Sequence, residues 1–196
     1  MKDISGYNVI IPAAGFSGRM GLPKMLLPFD KTKTFLDVII QGYFEFGCNE
    51  AVVVVNEKNS LSVKYLQSKK KIRIIVNRYP ERERFFSIQT GLQSAGKALG
   101  VFIHNVDNPF VDVNLLKKMT QVLPSCDIVV PVFKDKGGHP VLLSKKVTDY
   151  IVSVSDYSIN FKDVIKGFNR KNVLTENGNV LVNINTMADY RRYGFG

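Results

Sequence analysis

Five short stretches rich in Val and Ile constrain the fold most: Asn8 to Ala13, Ala51 to Val55, Ile72 to Val76, Val101 to Val106 and Asp127 to Val132. They barely alternate between apolar and polar residues, the pattern of strands covered on both faces rather than one. Between them lie segments with helical spacing, Phe35 to Phe46, Asn59 to Gln67, Arg84 to Ala95 and Val113 to Leu123, each long enough to cross over a sheet. This order predicts an α/β fold, a three-layer sandwich with a mostly parallel central sheet.

After Pro131 the rhythm changes. A Gly137-Gly138 turn, a short strand from Pro140 to Leu143, helices near Ser144 to Ser153 and Phe161 to Gly167, and a final strand from Asn179 to Ile184 are expected. This part is expected to carry the acceptor side of a site. The chain has 196 residues, 45% of them hydrophobic, and no repeat, low-complexity tract or long linker, so one domain over residues 1–196 is expected.

The net charge of +10, from 27 Lys and Arg against 17 Asp and Glu, favours polyanionic partners without choosing among them. Clusters such as Lys69-Lys70-Lys71 and Arg191-Arg192 read first as solvated helix ends or loops. No recognition helix, zinc knuckle or aromatic RNA-binding motif accompanies the charge, so specific nucleic-acid binding is not expected. Cys48 and Cys126 lack the spacing of a metal knuckle or a disulfide scaffold. Met1 to Gly6 runs straight into a strand with no apolar signal segment, and no stretch approaches the roughly 18 apolar residues of a membrane span. A cytoplasmic protein, neither exported nor membrane-spanning, is the expectation.

The first strand runs into Ala13-Ala14-Gly15-Phe16-Ser17-Gly18-Arg19-Met20-Gly21-Leu22-Pro23-Lys24, a small-residue loop bearing two cations. Gly15, Gly18 and Gly21 let the backbone approach a bulky anion, and Arg19 and Lys24 can supply charge-assisted hydrogen bonds. The loop has neither Walker nor dinucleotide-fingerprint spacing. On composition alone it serves equally well as a plain strand-to-helix connection.

A second anchor is Val101 to Phe110, where a buried strand delivers Asp107 to its C-terminal edge just before Pro109. A lone carboxylate suffices for Mg²⁺, which takes one or two carboxylates plus substrate phosphates. Asp107 also suits the N-cap of the helix starting near Val113, although Asp112 is better placed for that. Glu81 to Leu92 reads as a loop entering a helix, whose N-terminus favours polar ligand atoms.

The stretch from Ala13 to Lys24, followed by Met25-Leu26-Leu27-Pro28, resembles the signature of the MobA-like nucleotidyltransferases. The Ala-Ala-Gly form with Pro before the lysine is similar to the branch that matures molybdenum cofactor with CTP, with Pro12 in place of the usual Leu. The resemblance implies the nucleotide-diphospho-sugar transferase fold and a site in which Ala13, Ala14, Gly15, Ser17, Gly18, Arg19 and Lys24 wrap the triphosphate. Arg19 would hold its distal phosphates, Lys24 would bridge the reacting ones, and Asp107 with Pro109 matches the Asp-x-Pro metal site. Ser87, Gly91 and Leu92 match the segment that reaches the base, but Arg84-Phe85-Phe86 stands where relatives are serine-rich. Arg84-x-x-Ser87-Ile88-x-x-Gly91-Leu92 is similar instead to alditol-phosphate and methylerythritol-phosphate cytidylyltransferases, which implies nucleotide binding for Arg84, Ser87 and Gly91, although the metal segment of those enzymes would need an acid at Asn105.

Gly137-Gly138-His139-Pro140 resembles the turn that flanks the acceptor pocket in the cofactor cytidylyltransferases, which implies acceptor binding for Gly138, His139 and Pro140. An acid-base role for His139 is disfavoured because a phosphate nucleophile is already ionised. Asn183-Ile184-Asn185-Thr186 resembles the closing motif, with Met187 and Ala188 departing from it. Asn185 is assigned to the acceptor, and Asn183 is either a second metal ligand or a cap for the last helix. The implied activity is a nucleotidyltransferase, with CTP as co-substrate and Mg²⁺ or Mn²⁺ as cofactor, that puts CMP on a phosphorylated small-molecule acceptor, the molybdenum cofactor. A molybdoenzyme or its chaperone would be the downstream partner. Transfer to an alditol, choline or sugar phosphate, and a non-catalytic nucleotide or cofactor carrier, stand as alternatives.

Overall fold

A computed structural model describes residues 6–15, 20–157 and 159–195. Its elements in chain order are β1 (Tyr7–Ala13), α1 (Phe35–Phe46), β2 (Glu50–Asn56), α2 (Glu57–Ser60), β3 (Ile72–Asn77), α3 (Glu83–Ser94), β4 (Gly100–Ile103), α4 (Val113–Val122), β5 (Ile128–Phe133), β6 (Lys136–Gly137), β7 (Val141–Ser144), α5 (Lys145–Ser153), α6 (Phe161–Ile165), β8 (Arg170–Leu174) and α7 (Met187–Arg192). The strands form one sheet in the order β3-β2-β1-β4-β7-β5-β6, with β8 also paired to β5. Strands β3, β2, β1 and β4 run parallel, as do β5 and β8, while β6 and β7 run against their neighbours. The expected α/β sandwich with a mostly parallel sheet is the fold observed.

Successive side chains of a strand point to opposite faces, and here both faces are roofed. Val9, Ile11, Val53 and Val55 pack under Leu36, Ile39, Tyr43 and Phe46 of α1 and Leu116 and Met119 of α4. Ile10, Val52, Val54 and Ile103 pack under Phe85, Ile88 and Leu92 of α3, with Val147 and Ile151 of α5 extending that layer. Helix α1 has a reciprocal Thr34/Asp37 capping box at its start, and Gly47 at φ 104° closes its end.

Two expectations past Pro131 and one before it need correction. The turn falls at Lys134-Asp135, both at positive φ, between Val132↔Gly137 and Phe133↔Lys136, a two-residue hairpin of the kind that matches strand twist. The final strand expected over Asn179 to Ile184 is a 3-10 turn at Gly178–Leu181, because the Asn177 side chain accepts from the Asn179 N–H and caps it. The last strand of the sheet is instead β8, whose Arg170, Lys171 and Asn172 are exposed at the sheet edge. The segment expected as a helix over Asn59 to Gln67 is a single α turn continued by a 3-10 turn at Leu61–Leu66.

Candidate active site

The carboxyl ends of the parallel strands are where open α/β sheets present loops to a ligand. A cavity of about 370 Å³ opens there, lined by Ala13, Ala14 and Gly15 after β1, Pro80 after β3, Arg84 and Ser87 of α3, and Asn105 and Asp107 after β4, with Lys24 across from them. The Asn56 side chain at the end of β2 donates to the Ala14 carbonyl at 3.0 Å and accepts from the Asn59 N–H, so one buried amide ties the loop to the sheet. A Cβ on Gly15 would meet nothing within 4 Å, which leaves its backbone open to the cavity. Ser17, Gly18 and Arg19 lie outside the described residues.

Lys24 sits on a 3-10 turn held down by buried Met25. Its Nζ donates to Asn185 Oδ1 at 2.6 Å and lies 3.4 Å from Asp107 Oδ2. Asn185 is set in turn by Asp189, which accepts from its backbone N–H. The expected acceptor residue Asn185 therefore stands beside Lys24 and Asp107, three segments brought together from across the chain.

Asp107 owes its place to a network within the core. His104 is fully buried; its Nε2 donates to the Asn108 carbonyl at 2.7 Å and its Nδ1 accepts from the Tyr43 hydroxyl at 3.0 Å. Burial pushes the His104 imidazole down to about 4, which keeps it neutral for this pairing. The Asp107 carbonyl accepts from the Ile184 N–H at 2.8 Å, docking the closing segment against the loop. Asp112 caps α4, accepting from Asn114 and Leu115, so Asp107 is not needed for that role.

Asp107 Oδ1 is buried with no hydrogen-bond partner among the described residues. An orphaned carboxylate oxygen is costly unless a cation meets it. Among the described residues no group of three or more His, Cys, Asp or Glu forms a metal cage. The donor set thus fits a hard divalent cation held by one carboxylate and completed by oxygens of a ligand. Asn183 stands apart from this: its side chain donates to the Leu181 carbonyl at 3.2 Å, and it lines a different cavity. Nor does it cap the last helix, which starts with a Thr186/Asp189 capping box.

That second cavity, about 690 Å³, is lined by Gly138, His139, Asn183, Phe161, Lys162 and Arg170 among others. Gly138 is where the backbone of this wall closes on the next segment, since a Cβ would fall 2.3 Å from the Val180 carbonyl oxygen. His139, joined to Pro140 by a cis bond, has its Nε2 3.0 Å from Asn105 Nδ2. Burial, then the charge of Arg84, pushes its imidazole down to about 3, so it is no proton carrier near neutral pH.

Three nucleotide-side expectations are placed differently from one another. Ser87 lines the first cavity and accepts from Asn77 at 3.0 Å. Gly91 faces the sheet instead: a Cβ there would sit 2.5 Å from Ile10, so it is a point of close helix-to-sheet packing, and it lines neither cavity. Arg84 lines both cavities, with its guanidinium over the Phe161 ring at 5.5 Å. Phe85 is buried under α3, and Phe86 joins Tyr79 and Tyr157 around the Arg82 guanidinium. Spacing gave no sign of His104, Asn56 or Asn77, the buried polar residues that hold the loops.

The family model of the MobA-like NTP transferase domain matches residues 9–166. The chain is 27% identical over 191 residues to the molybdenum cofactor cytidylyltransferase of Escherichia coli K12, covering 95% of each. It is 29% identical over 120 residues to the 2-C-methyl-D-erythritol 4-phosphate cytidylyltransferase of Bacillus licheniformis, covering 59% of this chain and 51% of that one. Crystal structures of Rv0371c from Mycobacterium tuberculosis H37Rv, one complexed with manganese, superpose with TM-scores of 0.78 and 0.75 at 23% and 21% identity, covering 95% of this chain and 96% of theirs. The chain belongs to the MobA-like NTP transferase family of nucleotidyltransferases.

Proposed function

We propose that residues 1–196 act as one nucleotidyltransferase domain that moves CMP from CTP to a phosphorylated acceptor, the molybdenum cofactor. The observation that carries this reading is the juxtaposition of Lys24, Asn185 and Asp107, with one Asp107 oxygen unpaired among the described residues, at the ligand end of the sheet. Similarity along 95% of the chain to a molybdenum cofactor cytidylyltransferase supports the choice of base and acceptor.

An oxygen of the acceptor phosphate attacks the α-phosphorus of CTP. The bond from that phosphorus to the bridging oxygen breaks, and its electron pair leaves on pyrophosphate. No proton has to move, so the residues work by placing and neutralising charge. Lys24, on the wall of the first cavity and bonded to Asn185, would bring its charge to the reacting phosphates and screen their mutual repulsion. Ala14 and Gly15 give the triphosphate a loop of backbone amides, and Arg19 extends that loop with a second cation. Mg²⁺ or Mn²⁺ on Asp107 supplies charge neutralisation at the triphosphate when bound.

The test is pyrophosphate release with Mg²⁺ and each of the four NTPs, with and without molybdenum cofactor. Release that requires both CTP and the cofactor is expected, reduced about 10²–10³-fold in Lys24→Ala with a smaller loss of CTP affinity. Nucleotide binding without release from any NTP would leave a carrier in place of an enzyme. A second reading, transfer to an alditol phosphate, is favoured by the match to the methylerythritol-phosphate enzyme, and it wins if that acceptor replaces the cofactor in the assay.

A further inference from the structure

Arg84 occupies the partition between the two cavities and lines both. Its Nε and Nη2, which together make one edge of the guanidinium fork, are shut off from solvent and have no hydrogen-bond partner among the described residues. Among the described residues no carboxylate forms an ion pair with it; the charge of Asp107 partly offsets the burial that lowers its pKa. Beside it, His139 engages Asn105 through Nε2 and leaves a buried Nδ1 without a partner among the described residues. A buried polar group left without a partner is costly in a folded protein, so a cluster of them at a cavity wall points to a ligand.

The same cavity carries Lys162, Lys166 and Arg170, and no Asp or Glu lines it among the described residues. Its remaining wall is apolar, with Phe161, Phe168 and Val141 prominent. A phosphate monoester carries about −1.5 to −2 charges at neutral pH and can accept two parallel N–H bonds from one guanidinium edge. A cationic amino alcohol would meet only like charge here.

We propose that Arg84, with His139, seats the nucleophilic phosphate of the acceptor, and that the acceptor is an anionic phosphate monoester with an apolar body rather than a phosphoamine. Arg84 is thereby moved from the nucleotide side, where its sequence position puts it, to the acceptor side. This rests on the nucleotidyl-transfer reading for the identity of the phosphate as nucleophile. The phosphate seat itself does not depend on turnover.

Calorimetric titration of phenyl phosphate into protein saturated with Mg²⁺ and the α,β-methylene analogue of CTP tests it. Saturable binding is expected, weakened at least about tenfold in Arg84→Gln, which is the loss of about 1.4 kcal/mol of contact. Arg84→Lys should lose part of it, since charge remains but the fork is gone. The affinity for Mg²⁺ and the CTP analogue alone should stay within about twofold in both variants, and phosphocholine should bind the wild type at least about tenfold more weakly than phenyl phosphate. If Arg84→Gln does not fold, Arg84→Lys carries the comparison alone. The proposal is overturned if the variants lose affinity for the CTP analogue and keep phenyl phosphate, if the analogue displaces phenyl phosphate, or if the wild type binds no phenyl phosphate. Arg84-dependent phenyl phosphate binding in a protein that releases no pyrophosphate from any NTP would remove the transfer reading and leave the seat standing.

Discussion

His104 lines neither cavity, yet its ring fixes the turn that carries Asp107. It can do so because Tyr43, a helix residue of the core, donates to the other ring nitrogen and sets the tautomer. Tyr43→Phe removes that donor and leaves a buried acceptor unpaired, which should cost about 1–3 kcal/mol, read as a lower urea midpoint at unchanged m-value. The half-saturating Mg²⁺ concentration for pyrophosphate release should rise in the same variant while turnover at saturating metal is kept. An unchanged midpoint would mean that the hydroxyl does not hold the ring. Residues such as this explain the limit of the sequence reading at this scale. Lys24 and Asp107 announce themselves by charge at a strand end, whereas His104, Asn56 and Asn77 act on partners distant in the chain and leave no local pattern.

Helix α3 shows how one element serves both core and site. Its buried face carries Phe85, Ile88 and Leu92, while Arg84 and Ser87 reach the cavities from its first turns. Gly91 lets the helix settle close to the sheet, with Ile10 and Val54 at 2.5 and 3.0 Å from where a Cβ would stand. Gly91→Ala should overpack this contact and cost about 1–3 kcal/mol by urea denaturation, with affinity for Mg²⁺ and CTP within about twofold in the folded protein. A glycine that touched the nucleotide would show the reverse, lost affinity at full stability. Helix α1 could be read end to end because its apolar stripe and its capping residues agree. Strand β8 could not, because an edge strand with Arg170, Lys171 and Asn172 in solvent has no apolar face to betray it. The stretch after Gly178 misled in the opposite sense: its alternation suits a strand, but the Asn177 side chain closes a 3-10 turn first.

Across the whole molecule, the net charge of +10 has a local meaning, since Lys24, Arg84, Lys162, Lys166 and Arg170 all line the two cavities. Of the two histidines of the chain, His139 is half-buried on the wall of the second cavity and His104 is fully buried in the core. Burial pushes His104 down to about 4, and burial with the charges of Arg84, His104 and Lys162 pushes His139 down to about 3. In the unfolded chain both take up a proton near the usual value of about 6.5. Below that pH the unfolded chain binds protons that the folded protein refuses, so the contribution of these neutral rings to stability is full above about pH 6.5 and falls as the pH drops toward 4 and then 3. For His104 alone the loss amounts to roughly 3 kcal/mol once the pH has passed through its folded value. Urea midpoints measured from about pH 7.5 down to about pH 4.5 should therefore fall steadily, beginning well above the carboxylate range. The slope should be shallower in His139→Gln, which keeps a neutral side chain against Asn105 but has no proton to take up in either state. A wild-type midpoint that holds level across this window would show that the folded protein takes up protons on these rings as readily as the unfolded chain does, and would undo the pairing of His104 with Tyr43 on which the placement of Asp107 depends.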